Sequence, residues 1–200
     1  LFLYLCLHDG GILNLEDVGN QLRLSRQTVQ NFLQLLEHAH LLFRLQAYGY
    51  GKEVLRGRPK VYLADPAISP AVMLRGKEGL EDSSLLGVAT ESAVFKHLCA
   101  RFYRQQVRFS YWRARHDLEV DLVGEVAGQS IPFEVKYRSQ QHTGARDLKG
   151  LLHFYEERKC QRGYVVTRDL RDIGPMAGLK NPEIRLMKVP APLFCYWMGS

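Results

Sequence analysis

The chain has 200 residues, of which 46% are apolar and 24% charged, and this composition excludes a chain that is disordered throughout. The formal net charge of +6 favours an anionic partner without naming one. No run of about 20 apolar residues occurs, so no membrane-spanning segment is predicted. The four cysteines form no CxxC pair, which argues against a zinc knuckle or a disulfide framework and favours a reducing cytoplasm.

Residues 1–75 are predicted to form three helices and a hairpin. Asn14 and Ser25 suit the N-caps of the second and third helices, because their side chains accept from free first-turn amides. The third helix carries one apolar stripe at helical spacing, formed by Val29, Phe32, Leu33 and Leu36. Strands are predicted at 41–48 and 60–63, on either side of a basic, Gly-rich loop. This order is that of a winged helix.

A polar third helix is suited to the major groove of DNA, and a basic wing is suited to phosphate. The candidate nucleic-acid contacts of this half are Arg26, Gln27, Gln30, Lys52, Arg56, Arg58 and Lys60. The alternative is a protein-interaction module whose polar helix face is only solvated.

Residues 66–83 are rich in Pro, Gly and charge, and 76–83 is interpreted as a linker. From residue 84 to 200 the predicted order is α-β-β-β-α-β-β, a mixed sheet flanked by helices. Residues 190–198 are expected to be a C-terminal tail that packs on this domain.

Charged residues occupy two neighbouring predicted strands, which are joined by a turn at Gly128-Gln129-Ser130. Asp121 lies on the first strand, two residues after Glu119, and Glu134 and Lys136 share one face of the second. Antiparallel pairing would bring Asp121 close to Glu134 and Lys136. The alternative is an ordinary cross-strand salt bridge. A second ExK sequence, Glu157-Arg158-Lys159, falls on a predicted helix and is interpreted as solvated surface.

Two carboxylates with a lysine are the set that a metal-dependent nuclease needs. Carboxylate oxygens hold Mg²⁺ or Mn²⁺, and such a cation neutralises charge on a scissile phosphate. A nearby lysine stabilises the charge that develops on the phosphate.

These residues resemble the PD-(D/E)xK nuclease superfamily, whose restriction-endonuclease-like fold is a mixed sheet flanked by helices. More widely, the chain is similar to the C-terminal region of bacterial and archaeal AAA-type predicted ATPases, where the module is known only as a domain of unknown function. The matching stretches cover most of residues 20–155. They are Leu24–Val29, Leu35–Glu37, Pro59–Asp65, Glu91–Phe95, Tyr111–Arg113, Glu119–Asp121, Phe133–Lys136 and Asp147–Leu151.

The resemblance implies that Asp121 and Glu134 are metal ligands, that Lys136 is the catalytic lysine, and that Glu91 completes the site from a helix. Arg113 and Arg138 flank this site and are further candidates for nucleic-acid contact. The chain departs from the family pattern at His97, where a second acid is frequent, and this change weakens the expected metal site.

The resemblance also implies an upstream ATPase domain as a partner. The sequence contains no GxxxxGK[ST] motif, so ATP is expected to bind only in that upstream domain. The absence of an initial Met fits a fragment.

The function expected is a DNA-binding, Mg²⁺-dependent DNA phosphodiesterase module. One alternative is a non-catalytic regulatory module that binds DNA or protein through a vestigial nuclease site. A second alternative is a winged-helix transcription regulator.

Overall fold

The computed structural model describes residues 1–51, 54, 57–76, 81–105, 107–116, 118–137, 144–179 and 181–199. The chain divides into two compact units, Leu1–Ser92 and Ala93–Ser200. Both units combine helices with β-strands, so the protein is mixed α/β.

The described residues of the first unit form four helices ahead of the long helix α5, and three strands. The helices are α1 (Phe2–Leu7), α2 (Leu15–Leu22), α3 (Arg26–His38) and α4 (Ile68–Val72). The strands are β1 (Gly11–Ile12), β2 (Leu42–Ala47) and β3 (Lys60–Leu63). β3 lies between β1 and β2 and is antiparallel to both. The two-residue strand β1 carries too little periodicity to be predicted from sequence.

Helices α2 and α3 begin where the sequence predicts. The Asn14 side chain accepts a hydrogen bond from the Glu16 amide at 3.2 Å, and Ser25 Oγ accepts one from the Thr28 amide at 3.0 Å. The apolar stripe of α3 is narrower than predicted, because Val29 and Leu33 are fully buried whereas Phe32 is 45% exposed. The core of this unit comprises Leu5, Leu13, Val18, Val29, Leu33, Leu42 and Val61.

Asp9 connects three segments of the first unit, and the sequence analysis did not single it out. Its Oδ1 accepts the Leu63 amide at 2.8 Å, and its Oδ2 accepts the Ser92 hydroxyl at 2.9 Å. Burial raises the pKa of the Asp9 carboxyl, and these two hydrogen bonds oppose that rise. The carboxylate therefore ties the turn after α1 to β3 and to α5 (Ser83–Phe102).

The Pro- and Gly-rich stretch that begins at residue 66 contains the short helix α4. Pro70 lies in the first turn of this helix, where its missing amide hydrogen costs no hydrogen bond within the helix. Asp82 is the N-cap of α5, because its Oδ1 accepts from the amides of Ser84 and Leu85. Residues 77–80 of the predicted linker lie outside the described residues. The linker at 76–83 stays a prediction, while the two units divide at Ser92/Ala93.

The second unit continues from the C-terminal half of α5, and its described residues form six strands and two further α-helices. The strands are β4 (Arg108–Arg113), β5 (Glu119–Val126), β6 (Gln129–Lys136), β7 (Gly163–Thr167), β8 (Gly174–Pro175) and β9 (Leu186–Pro190). The helices are α6 (Lys149–Glu157), entered through a 3₁₀ turn at Ala145–Leu148, and α7 (Ala191–Gly199).

The strands of this unit follow the order β4-β5-β6-β7-β9-β8. β6, β7 and β9 run parallel, and the remaining pairs are antiparallel. The predicted turn between β5 and β6 is displaced by one residue: Val126 pairs with Gln129, and Ala127 and Gly128, both with positive φ, form the loop. The expected C-terminal tail is the helix α7, whose Phe194 packs on Phe133.

Within the described residues, no helix combines the length and the apolar character needed to cross a membrane. All four cysteines are free thiols. Burial raises the pKa of the Cys99 thiol to about 12 and that of the Cys160 thiol to about 11.

Candidate functional site

The site begins at a β-bulge in β5. Ser110 pairs with Val123, but Trp112 pairs with Val120, so β5 contains one extra residue at Asp121–Leu122. A bulge bends the strand and redirects a side chain. Here the Asp121 side chain turns to the neighbouring strand, where its Oδ2 accepts the Val135 amide at 2.8 Å. The carboxylate of Asp121 therefore lies at β6, against the residue between Glu134 and Lys136.

Glu134 and Lys136 form an ion pair on one face of β6. The Lys136 Nζ lies 2.5 Å from Glu134 Oε1, and the two side chains are 19% and 7% exposed. A carboxylate this deeply buried requires a cation or hydrogen-bond donors, because desolvation penalises its charged form. Asp121 therefore lies beside the strand segment that carries the Glu134–Lys136 pair, and the metal-binding role of these residues stays a prediction.

The start of β5 is held by a close approach of helix α6. A Cβ on Gly150 would lie 2.1 Å from the carbonyl oxygen of Glu119 and 2.7 Å from its amide nitrogen. Only glycine permits the helix backbone to come this close to the strand. Phe154, one turn further along α6, packs edge-on against Trp112 of β4 at a centroid distance of 5.4 Å. Gly150 therefore fixes the strand from which Asp121 extends.

Two residues near the Glu134–Lys136 ion pair, Thr167 and Arg168, were not predicted as site residues from the sequence. Thr167 is the register partner of Lys136 on the adjacent parallel strand and is 2% exposed. Its Oγ1 is buried and has no hydrogen-bond partner among the described residues. The guanidinium of Arg168, the next residue, lies 5.4 Å from the centre of the Tyr137 ring. Polar residues at the end of a buried apolar strand were the signal available in the sequence.

A second buried acid–lysine pair lies further along the same sheet. Glu134 pairs in register with Val165, and Val165 pairs with Lys188 on β9. Lys188 forms an ion pair with Asp172, whose side chain is 6% exposed. The sheet therefore places a positive side chain two strands from Glu134.

Glu91, the expected helix carboxylate, belongs to a polar cluster of the first unit. Its Oε1 lies 2.7 Å from Lys60 Nζ, and it also accepts the hydroxyl of Tyr62. Lys60 is only 3% exposed, so this ammonium does not face solvent. In this structure the charge of Lys60 is paired inside the unit, and its expected contact with phosphate stays a prediction. The role of Glu91 at the metal site stays a prediction.

The other nucleic-acid candidates of the described chain are exposed. Arg26 makes a 3.4 Å ion pair with Glu16, and Gln27 Nε2 donates to Asn31 on the same helix face. The remaining exposed candidates are Gln30, Arg58 and Arg113. Lys52, Arg56 and Arg138 lie outside the described residues, so their predicted roles stay predictions.

The second ExK sequence differs from the first in its surroundings. Glu157 ends helix α6, is 43% exposed, and pairs with Arg158 at 3.1 Å. It is the solvated surface acid that its helical position predicts, and it serves as a matched control for Glu134.

The side chains available as metal ligands determine which cation this site is suited to bind. Among the described residues, no group of three or more His, Cys, Asp and Glu side chains is arranged to hold a metal ion. Mg²⁺ uses one or two carboxylates, with waters and substrate phosphates completing its shell. Asp121 and Glu134 supply the two carboxylates that this mode uses.

Comparison with known proteins gives a match in each half. The family described as "Domain of unknown function (DUF8612)" matches residues 1–81, and "Domain of unknown function (DUF4143)" matches residues 86–179. DUF4143 domains are found C-terminal to AAA ATPases.

Two curated mycobacterial proteins are distantly similar. They are the uncharacterized protein Rv2008c of Mycobacterium tuberculosis and the uncharacterized protein Mb2031c of Mycobacterium bovis. Each is 26% identical over 148 residues, which cover 72% of this chain and 33% of the relative. The chain spans about a third of the length of these relatives.

Proposed function

We propose that this chain is a DNA-binding, Mg²⁺-dependent DNA phosphodiesterase module of a larger protein that carries an ATPase domain. The observation that supports it best is the meeting of Asp121, Glu134 and Lys136 at the ends of two neighbouring strands. The DUF4143 match agrees with a position after an ATPase domain.

The two carboxylates would hold the cation. Mg²⁺, when bound, neutralises charge on the phosphate and lowers the pKa of a coordinated water. Asp121 is oriented for this role by its bond to the Val135 amide, and Glu134 by its position on a strand with partners on both sides. Ligands on strands are held more rigidly than ligands on loops.

Lys136 has two roles in this proposal. Without a cation its ammonium neutralises the buried Glu134 carboxylate. With DNA bound, the flexible lysine stem lets the ammonium turn to a phosphate oxygen and stabilise the developing negative charge. Thr167 lies beside it and offers a hydroxyl to the same phosphate or to an ordered water.

The first unit would position the duplex. Its helices, followed by the antiparallel β2–β3 pair, are consistent with a winged helix, and helix α3 exposes Arg26, Gln27 and Gln30. In this family of folds the third helix enters the major groove. Exposed arginine on the loop, such as Arg58, then adds salt-dependent contacts to phosphate.

A specific observation favours a second candidate, the non-catalytic module with a vestigial site. The Lys136 ammonium already satisfies one oxygen of Glu134, and Glu91 is held by Lys60 and Tyr62. A protein of this kind binds DNA or a protein partner but does not cut DNA.

Incubation of the chain with plasmid and with branched DNA in Mg²⁺ or Mn²⁺ separates the two candidates. The proposal predicts metal-dependent cutting by the wild type, loss of cutting in Lys136→Ala, and retention in the surface control Glu157→Gln. DNA binding without cutting by any variant would support the non-catalytic module. Equal background-level cutting by wild type and Lys136→Ala would refute the phosphodiesterase.

A further inference from the structure

A large apolar cavity lies in the second unit, lined by residues other than those of the proposed DNA site. Its volume is about 620 Å³, within the range of pockets that bind small molecules. Strands β5–β9, the end of α5 and helix α7 all contribute to its wall. An apolar pocket of this size is typical of a ligand site.

Aromatic rings shape the cavity. Phe133 and Tyr164 stack with their centroids 5.3 Å apart, Phe109 and Phe102 lie 6.3 Å apart, and Trp197 of α7 closes one side. These rigid, apolar walls suit a hydrocarbon body.

Gly124 lies in the wall of this cavity. It occupies the middle of strand β5, where glycine is unfavourable because it adds no side-chain contact. A Cβ at this position would lie 3.3 Å from Phe109 and 3.6 Å from Phe133. The glycine therefore leaves room for the aromatic rings that line the cavity.

The cavity has one charged residue among its described lining residues, Arg162, which directly precedes β7. Its side chain is solvent-exposed, and an arginine fork binds a carboxylate through two parallel hydrogen bonds. An apolar chamber with a single guanidinium at its edge complements a molecule that has a hydrocarbon body and one anionic end.

We propose that this cavity binds an apolar monocarboxylate of the fatty-acid type, with its chain among Phe109, Phe133 and Trp197 and its carboxylate at Arg162. This site is independent of the phosphodiesterase proposal, because it shares no residue with Asp121, Glu134 or Lys136.

Isothermal titration calorimetry with decanoate, kept below its micelle concentration, tests the proposal. The wild type is expected to bind one decanoate per chain with a Kd below about 100 μM. Arg162→Gln should weaken this binding by about tenfold, whereas Arg146→Gln, which removes an exposed arginine outside the cavity, should leave it unchanged. Val126→Trp should abolish binding by filling the cavity mouth, with the far-ultraviolet circular dichroism spectrum retained as the check on folding.

Decanol, which has the same chain length as decanoate but no charge, is the control ligand. It is expected to bind the wild type more weakly than decanoate and to bind Arg162→Gln as it binds the wild type. Equal affinity for decanoate in wild type and Arg162→Gln would overturn the assignment of the carboxylate. No saturable binding of decanoate to the wild type, or undiminished binding to a folded Val126→Trp, would overturn the site itself.

Discussion

Replacing Lys136 by Met removes the cation of the buried pair and leaves the Glu134 carboxylate behind. That carboxylate is 7% exposed, so water replaces very little of the lost interaction. Breaking a buried ion pair from one side typically costs about 3–5 kcal/mol. Because Lys136 itself keeps 19% of its surface in solvent, we expect the lower end, a loss of about 3 kcal/mol.

The double variant Glu134→Gln/Lys136→Met removes both charges together. Replacing a buried pair by uncharged groups of similar volume is frequently close to neutral, so the double variant should be more stable than Lys136→Met by about 2 kcal/mol. The exposed-lysine control Lys149→Met should stay within about 0.5 kcal/mol of wild type.

Urea unfolding followed by tryptophan fluorescence measures these differences. Both tryptophans, Trp112 and Trp197, belong to the second unit, so the signal reports on the unit that contains the pair. The shift in midpoint at unchanged slope gives the change in free energy of unfolding. A Lys136→Met variant as stable as wild type, or a double variant less stable than Lys136→Met, would refute the buried-pair reasoning.

Three further predictions follow from buried groups elsewhere. Glu91→Gln should cost the first unit about 3 kcal/mol, because Lys60 keeps a buried charge without its carboxylate, and hydrogen exchange of the β3 amides measures the loss. In thermal unfolding followed by circular dichroism, Gly150→Ala should lose at least about 2 kcal/mol by steric overlap, whereas Gly87→Ala, in open space on α5, should gain about 0.5–1 kcal/mol. Cys99 should resist iodoacetamide at pH 8 in the native chain, since a pKa of about 12 leaves about one thiol in 10,000 ionised, and peptide mapping measures its modification.

Each of these has a clear contrary result. Unchanged exchange in Glu91→Gln would mean that Lys60 does not depend on this carboxylate. A Gly150→Ala variant as stable as Gly87→Ala would contradict the close approach of helix α6 to β5. Native Cys99 that reacts as fast as it does in urea would show that the thiol is not buried.

Most of the correct predictions depend on contacts between residues that are close together in the sequence. The caps at Asn14 and Ser25 are confirmed, because N-capping depends on residues within one helical turn. The pairing of β5 with β6 followed from alternation and a short loop, and only the turn position was wrong. The proximity of Asp121 to Glu134 and Lys136 depends on the register of this β5–β6 pairing.

Long-range contacts decide the features that could not be predicted from the sequence. Lys60 belongs to a basic stretch, but its partner Glu91 is distant in sequence and draws it into the interior. The bulge at Asp121 has no sequence signature, because one extra residue leaves the composition of the strand unchanged. Thr167 reaches the site only through the parallel pairing of β6 with β7, which a single sequence does not specify.

The claim that Asp121 and Glu134 form a cation site for phosphodiester cleavage is tested most directly by titrating the chain with Mn²⁺ and counting bound ions by electron paramagnetic resonance. The account predicts one Mn²⁺ per wild-type chain, binding at least about tenfold weaker in Asp121→Asn, and unchanged binding in the surface control Glu157→Gln. Equal Mn²⁺ binding by wild type and Asp121→Asn would contradict it.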